Sequence, residues 1–347
     1  EVKCDSLEEQ VGIWQRELAA EVLESVYNGE RIDLIGNCSR RGTGFKPGCK
    51  CKVPAGSGLT ELALEIDRPE LYQAYLGSSL TEFSQKYAGK CIGICSSIIL
   101  EHGVPDRLYI GNQFCHLLFP ERKLLFEIIE KAVAEQVKIT LVFSYIREYM
   151  LDYVTELLDE INQWCEEKRQ TVEVVVNDWG MASLVKKGRR NLIPSLGILL
   201  NKRKKDPRIS FKKGEQKWFE MNSLNAGFYR NFLEREYGIQ RFEWESCGYE
   251  QQIPPGKNSL HIPFYQTNTS QYCPLGAVCE TGERGRQKFA KKCPGYCAEY
   301  AFLYPEHLHM IGRYNSLFGI DMRILKEEEI LEKYIQNGVD RVVIRTW

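Results

Sequence analysis

Four cysteines near the C-terminal end carry the densest chemical signal in this 347-residue chain. They are Cys273, Cys279, Cys293 and Cys297, separated by five, thirteen and three residues. Thiolates brought to one point repel one another and need a cation that absorbs their charge; a 4Fe–4S cluster or a tetrahedral zinc ion does this. No histidine lies among them, and an all-thiolate set suits either group. Zinc knuckles usually pair cysteines as C-x2-C, a spacing neither pair has here. With Pro274 and Pro294 each following a cysteine, the segment reads as an iron–sulfur loop, with zinc as the alternative occupant. Arg284, Arg286, Lys288, Lys291 and Lys292 lie between the pairs and would offset a cluster's negative charge. Two disulfides, or scattered buried thiols, are the competing reading.

The chain has 13 cysteines in all. The odd count, the tight local clusters and lone cysteines within apolar segments (Cys115, Cys165) favour a reducing, cytoplasmic setting over a disulfide framework. Cys38, Cys49, Cys51, Cys91 and Cys95 form a candidate second metal site. Cys91 and Cys95 begin like a radical-type C-x3-C-x2-C loop, but Ile98 stands at its third position.

These residues need elements to hold them. From about residue 104, short apolar runs alternate with helical patterns: RLYIGN (107–112), ITLVFSYI (139–146), VEVVVND (172–178), LGILLN (196–201), IQRFEWE (239–245), SLHIPFY (259–265), MIGRYNSLFGI (310–320) and DRVVIRTW (340–347). Helical stretches fall at 120–136, 147–168, 180–187, 217–236 and 324–336. Apolar runs alternating with helices predict β-α units and a parallel sheet, and about eight strands predict an α/β fold of the (β/α)8, or TIM-barrel, type. Residues 1–104 read as a Cys-rich accessory region, with an amphipathic helix at 7–28, a strand-like RIDLIG (31–36) and a Gly-, Pro- and Lys-rich loop at 36–58; residues 105–347 read as the barrel. The first residue is Glu1 and not Met, which reads as processing or tag removal.

In such barrels the chemistry sits at the carboxyl ends of the strands. That places Asn177, Asp178, Asn201, Glu243 and Tyr265 as catalytic candidates, with Asp178 and Glu243 as acid/base groups; Asn177, Asp178 and Asn201 equally suit helix or loop capping. His261, inside an apolar strand, reads as a satisfied core histidine. Basic runs at 186–190 and 202–208 predict a positive rim over one barrel mouth, with Arg203 and Lys204 holding an anionic substrate. A solvated basic surface is the plainer alternative.

The absences narrow the chemistry. Net charge is −1, which excludes a global basic field. No apolar run is long enough to span a membrane. There is no Walker phosphate loop, no G-x-G-x-x-G unit, no H-E-x-x-H helix and no G-x-S-x-G elbow.

From about residue 105 onward the sequence resembles peptidase family U-32. The resemblance rests on VVVNDWGMASLV (174–185), LGILLNKRKKDPR (196–208), SLHIPFYQTNTSQYC (259–273) and the trio Cys279, Cys293 and Cys297. The family, first labelled collagenase-like peptidases, includes oxygen-independent iron–sulfur hydroxylase subunits of anaerobic ubiquinone synthesis and RNA-modifying relatives. The resemblance implies a barrel-like fold, a 4Fe–4S cluster and an oxygen-independent hydroxylase or related modifying enzyme. Its substrate would be small and anionic or aromatic, or an RNA. A cluster-carrying subunit of a paralogous U-32-type pair is the alternative, and a peptidase a more remote one. In those subunits one cluster ligand comes from far upstream. Here Cys273 lies close by, with Cys38 and Cys115 as rivals for the fourth place.

Overall fold

The computed structural model describes residues 4–6, 61–203, 205, 217–304 and 309–346. The helix expected at 7–28, the strand-like 31–36, the loop with Cys38, Cys49 and Cys51, and Lys204 lie outside these residues.

A short N-terminal strand, β1 (Cys4–Ser6), precedes the barrel strands β2 (Glu61–Ile66), β3 (Arg107–Gly111), β4 (Lys138–Val142), β5 (Val172–Val176), β6 (Leu192–Leu196), β7 (Arg241–Glu245) and β8 (Lys257–Ile262). Next come β9 (Phe264–Thr269), β10 (Tyr300–Leu303), β11 (Met310–Arg313), β12 (Ser316–Ile320) and β13 (Arg341–Ile344). Strands β2 to β8 run parallel, and β13 inserts between β8 and β2 to close an eight-stranded barrel with helices between most strands. The other five form an antiparallel sheet, β1-β10-β11-β12-β9, built mainly from the segment between β8 and β13.

The (β/α)8 expectation holds, with some strands placed differently. The barrel takes its first strand from Glu61–Ile66, ahead of the expected start at 105. Glu61 and Glu65 interrupt the apolar run that a buried parallel strand leads one to look for. MIGRYNSLFGI folds as the β11–β12 hairpin outside the barrel. SLHIPFY divides at Pro263, with β8 before it and β9 after it in the other sheet. The sixth strand is Leu192–Leu196, masked in the sequence by Pro194, and 197–201 is a turn in which Asn201 N–H bonds Gly197 O at 3.0 Å. The helices Arg122–Ala134, Leu151–Lys168 and Trp179–Lys186 fall where their periodicity places them.

Alternation within each strand sorts the side chains. Leu62, Leu64 and Ile66, Leu108 and Ile110, Phe242 and Trp244, and Val342 and Ile344 belong to the main core that the outer helices cover. Burial of each such side chain stabilises the fold by about 1.5–3 kcal/mol. Their neighbours face the barrel axis, where Ala63, Tyr109, Val142, Val175 and Val343 make a thin apolar layer. Charges lie on both sides of that layer. At the amino end of the strands, Arg341 bonds Glu61 Oε2 at 2.6 Å and both oxygens of Glu173 at 2.6 and 3.0 Å. Arg107 adds two bonds to Glu61, and Arg241 holds Asp340 with two more. Burial alone would raise the Glu173 carboxyl, but its bond to Arg341 and the surrounding guanidinium charges bring it down to about 2. This network plugs the amino-terminal end of the axis.

Candidate metal centre and barrel mouth

Strand β9 delivers Cys273 to the start of the helix Pro274–Thr281, where Pro274 suits the first helical position. The Cys273 thiol accepts from Gly276 N–H and donates to Tyr314 O, each at 3.2 Å. Cys279 lies farther along the same helix. Gly295, at φ +86, takes the left-handed conformation that turns the chain between Cys293 and Cys297. Cys115 follows β3 and packs with Cys297 against the small cluster of Phe114, Leu118, Ala301 and Phe318.

Cys115, Cys273, Cys293 and Cys297 line one cavity of about 610 Å³ at the carboxyl end of β2 and β3. Cys279 is close enough for its charge to act on Cys273. Arg68, Arg286, Lys288 and Lys292 line the same space. Burial pushes the Cys115 and Cys297 thiols up to about 12, so each keeps its proton unless a metal takes its place. Among the described residues, no three His, Cys, Asp or Glu side chains gather as ligands of a single ion. One tetrahedral zinc would draw its sulfurs to about 3.8 Å from one another at the usual bond length. Thiolates bound to different irons of a cluster stand farther apart. The thiols of Cys115, Cys273, Cys293 and Cys297 share this cavity with the carboxylates of Glu70 and Glu280 and with the cations, a donor set open to a cluster or to a zinc ion.

Cys91 and Cys95 are placed elsewhere. Both are buried in the main core, Cys91 donates to Tyr87 O at 3.3 Å, and burial raises Cys95 to about 12. These are packing thiols.

The barrel mouth beside the cavity is strongly polar. His261, fully buried, faces Glu65 through Nδ1 at 3.1 Å and Glu243 through Nε2 at 2.9 Å, the satisfied core histidine expected from its apolar strand. Glu243 also accepts from Ser195 Oγ at 2.6 Å. Arg345 bridges Glu65 and Glu245 at 2.5 and 2.9 Å, and Lys205 donates to Glu245 at 2.6 Å and to Gln266 at 2.9 Å. Burial lowers Lys205 to about 8 against the pull of Glu245. Burial would raise Glu65, but Arg345 and His261 hold it at about 2.

The strand-end candidates separate into two groups. Asn201 and Glu243 do lie at the mouth, with Asn201 Nδ2 donating to Glu243 O at 2.9 Å. Arg203 joins them, donating to Glu245 O and resting over the Trp244 ring. Asp178 instead caps the helix after β5: its two oxygens accept Met181 N–H and Ile146 N–H at 2.8 and 2.6 Å. Asn177 ties Phe143 O and Leu199 N–H, and a side chain at Gly197 would stand 2.2 Å from its Oδ1. Tyr265 belongs to β9 and packs with Cys247 and Tyr249, outside the barrel. The two basic runs do not share a rim. The helix Trp179–Lys186 returns the chain to the amino end of the barrel, where Arg189 meets Asp159 and Lys186 bonds the carbonyls of Arg235 and Glu236. Among the described residues of the second run, Arg203 and Lys205 reach the carboxyl end.

Sequence reasoning missed Glu65, Gln113 and Arg345 as mouth residues, while Lys205 belongs to the basic run 202–208 that it placed over a mouth. For Glu65 and Arg345 the signal was charge at inward-facing positions of otherwise apolar strands, as in ELALEI and RVVIR.

Comparison with protein-family models, curated proteins and solved structures finds no match to the chain. The fold and site therefore define its class: a closed eight-stranded parallel barrel carrying a cysteine-bearing antiparallel sheet at its carboxyl end. No helix among the described residues is long and apolar enough to cross a membrane.

Proposed function

We propose that the chain is an iron–sulfur protein of the U-32 type, an oxygen-independent hydroxylase or related modifying enzyme. The observation that carries this reading is the single cavity lined by Cys115, Cys273, Cys293 and Cys297 beside a polar barrel mouth. Cys279, Cys293 and Cys297 are common to every ligand set considered, and Cys273 supplies the fourth thiolate, with Cys115 as its rival in the same cavity. A bound 4Fe–4S cluster supplies electron transfer, or an open iron position, next to the substrate side of the barrel. Arg286, Lys288 and Lys292 balance its charge, and the apolar Phe114–Leu118–Phe318 cluster limits water at its inner edge. Asn201, Glu243 and Arg203 belong to the mouth that receives the substrate.

The test is anaerobic purification with iron and sulfide analysis. About four of each per chain are expected, and Cys293→Ala should abolish both. Cys279→Ala and Cys273→Ala should do the same, while Cys115→Ala stays loaded; the reverse outcome for Cys273 and Cys115 would make Cys115 the fourth ligand. Zinc without sulfide would move the site to its alternative occupant. Full iron and sulfide in Cys293→Ala would refute the assignment.

A further inference from the structure

We infer that residues 288–294 form a strap that opens and closes the cysteine cavity, and that Phe289 and Lys291 latch it shut on Tyr149. The inference goes beyond the reading above. It concerns how ions and small molecules reach the thiols, and it does not depend on what the thiols hold.

One wall of the cavity differs from the rest. Six of the seven strap residues line it: Lys288, Phe289, Ala290, Lys292, Cys293 and Pro294. The other walls belong to folded elements. Cys115 and Leu118 follow β3, Cys273 and Ala277 belong to the helix Pro274–Thr281 and its cap, and Tyr314 stands in the β11–β12 turn. The strap has no regular secondary structure, and all seven of its residues are exposed. Among the described residues, no backbone group of 288–294 is hydrogen-bonded to another backbone group. A segment with exposed residues and no backbone partners opens locally at low cost, while the elements around it stay folded.

The chain on either side is fixed. Before the strap, Arg284 donates to the Tyr304 hydroxyl at 2.8 Å, and Ser270 Oγ donates to Gln287 Oε1 at 3.0 Å. After it, Ala298 N–H bonds Gly295 O at 2.8 Å across the short turn Tyr296–Ala298. Gly295 is in the left-handed conformation, and no atom lies within 4 Å of where its side chain would stand, which leaves a pivot at the end of the strap. Between these anchors the ring and charge contacts of the strap gather in one place. The Phe289 ring meets the Tyr149 ring edge to face, with 5.2 Å between centroids, and Lys291 Nζ lies 5.4 Å from the centre of the same ring. Arg147 adds its guanidinium over Phe289 at 5.7 Å. Tyr149 is braced in turn by His116, whose Nε2 is 2.8 Å from its hydroxyl and whose neighbour is Cys115. Tyr149 and Phe289 are 41% and 44% exposed. Aromatic and cation–π contacts at exposed sites are weak, as a latch that must release requires. The strap also carries Cys293, so closing it completes the set of thiols and opening it removes one.

The test is alkylation of the metal-free, full-length protein with iodoacetamide, read cysteine by cysteine through peptide mass spectrometry. Cys115 and Cys297 report the inner cavity, and Cys91 and Cys95, buried in the main core, report general unfolding. Phe289→Ala and Tyr149→Ala should each speed alkylation of Cys115 and Cys297 about threefold to tenfold, and Phe289→Tyr should restore the native rate. Cys91 and Cys95 should stay protected in every variant. With Zn2+ as the probe ion, the two alanine variants should also release it to EDTA faster by a similar factor. Unchanged alkylation of Cys115 and Cys297 in both alanine variants would overturn the inference, and so would a rise that Cys91 and Cys95 share. A protein that binds neither iron nor Zn2+ but keeps the latch-dependent alkylation would refute the metal reading and leave this one standing.

Discussion

Arg341 tests how the barrel tolerates so much charge on its axis. The residue is 1% exposed. Its guanidinium meets Glu61, both oxygens of Glu173 and the Tyr109 hydroxyl, the last at 2.8 Å. Arg341→Met keeps the bulk of the stem and removes the charge. Glu61 retains Arg107 and Lys138, at 3.0 and 2.6 Å. Glu173 is left with weaker partners, Arg107 at 3.5 Å and Arg241 at 3.8 Å. Stranding one member of a buried pair costs about 3–5 kcal/mol. At about 2–4 °C per kcal/mol for a chain of this order of size, the melting temperature should fall by roughly 6–20 °C. Arg341→Met combined with Glu173→Met removes the stranded carboxylate as well. The pair should therefore recover at least 1 kcal/mol relative to Arg341→Met alone, a non-additivity expected of neighbours that share a network. Urea unfolding followed by tryptophan fluorescence gives both numbers. A loss below about 1 kcal/mol in the single variant, or a double variant that falls as far as the sum of its parts, would show that the plug does not depend on Arg341.

The low Glu173 carboxyl makes a pH prediction. Its folded value of about 2 lies below the ordinary 4.5, so its contribution is present above 4.5 and is lost as pH falls toward 2. At about 1.4 kcal/mol per pH unit, that is roughly 3 kcal/mol. The stability gap between the native protein and Glu173→Gln should close between pH 4.5 and pH 2, and a constant gap would contradict it. The Tyr87 hydroxyl shares its one proton between Glu65 O and Ile344 O, at 2.7 and 2.8 Å, clamping the ends of β2 and β13. Tyr87→Phe should cost about 1–3 kcal/mol in the same urea assay, and an unchanged midpoint would mean that the clamp is idle.

Much of this architecture can be read from local pattern, and the exceptions share a cause. The strands VEVVV and RLYIG and the amphipathic helix Leu151–Lys168 announce themselves through apolar periodicity, because an outer face packed on helices demands it. ELALEI does not, because its inward positions are Glu61, Ala63 and Glu65. The same inversion hid Arg345, whose role appears only when β13 stands between β8 and β2. Pro194 concealed β6. Cys273, Cys293 and Cys297 were legible because their spacing is short. The nearness of Cys115 depends on a contact more than 150 residues long in sequence, which no local pattern contains. The apparent common rim of 186–190 and 202–208 failed for a geometric reason: strand β6 (Leu192–Leu196) lies between the runs, and a barrel strand carries the chain from one end of the barrel to the other.

Closure by β13 has a consequence for the order of assembly. The strand that completes the barrel is the last of its eight to be made, and Arg341 and Arg345 arrive with it. Until it arrives, β2 and β8 expose unpaired edges, and Glu61, Glu65, Glu173 and Glu245 lack the guanidinium groups that neutralise them in the finished molecule. A growing chain that has already presented every cysteine of the cavity still holds an open, mutually repelling sheet. Loading of any metal onto those thiols in a finished geometry therefore belongs after synthesis of the final strand, and a chain cut just before Arg341 should be a substrate for chaperones and proteases.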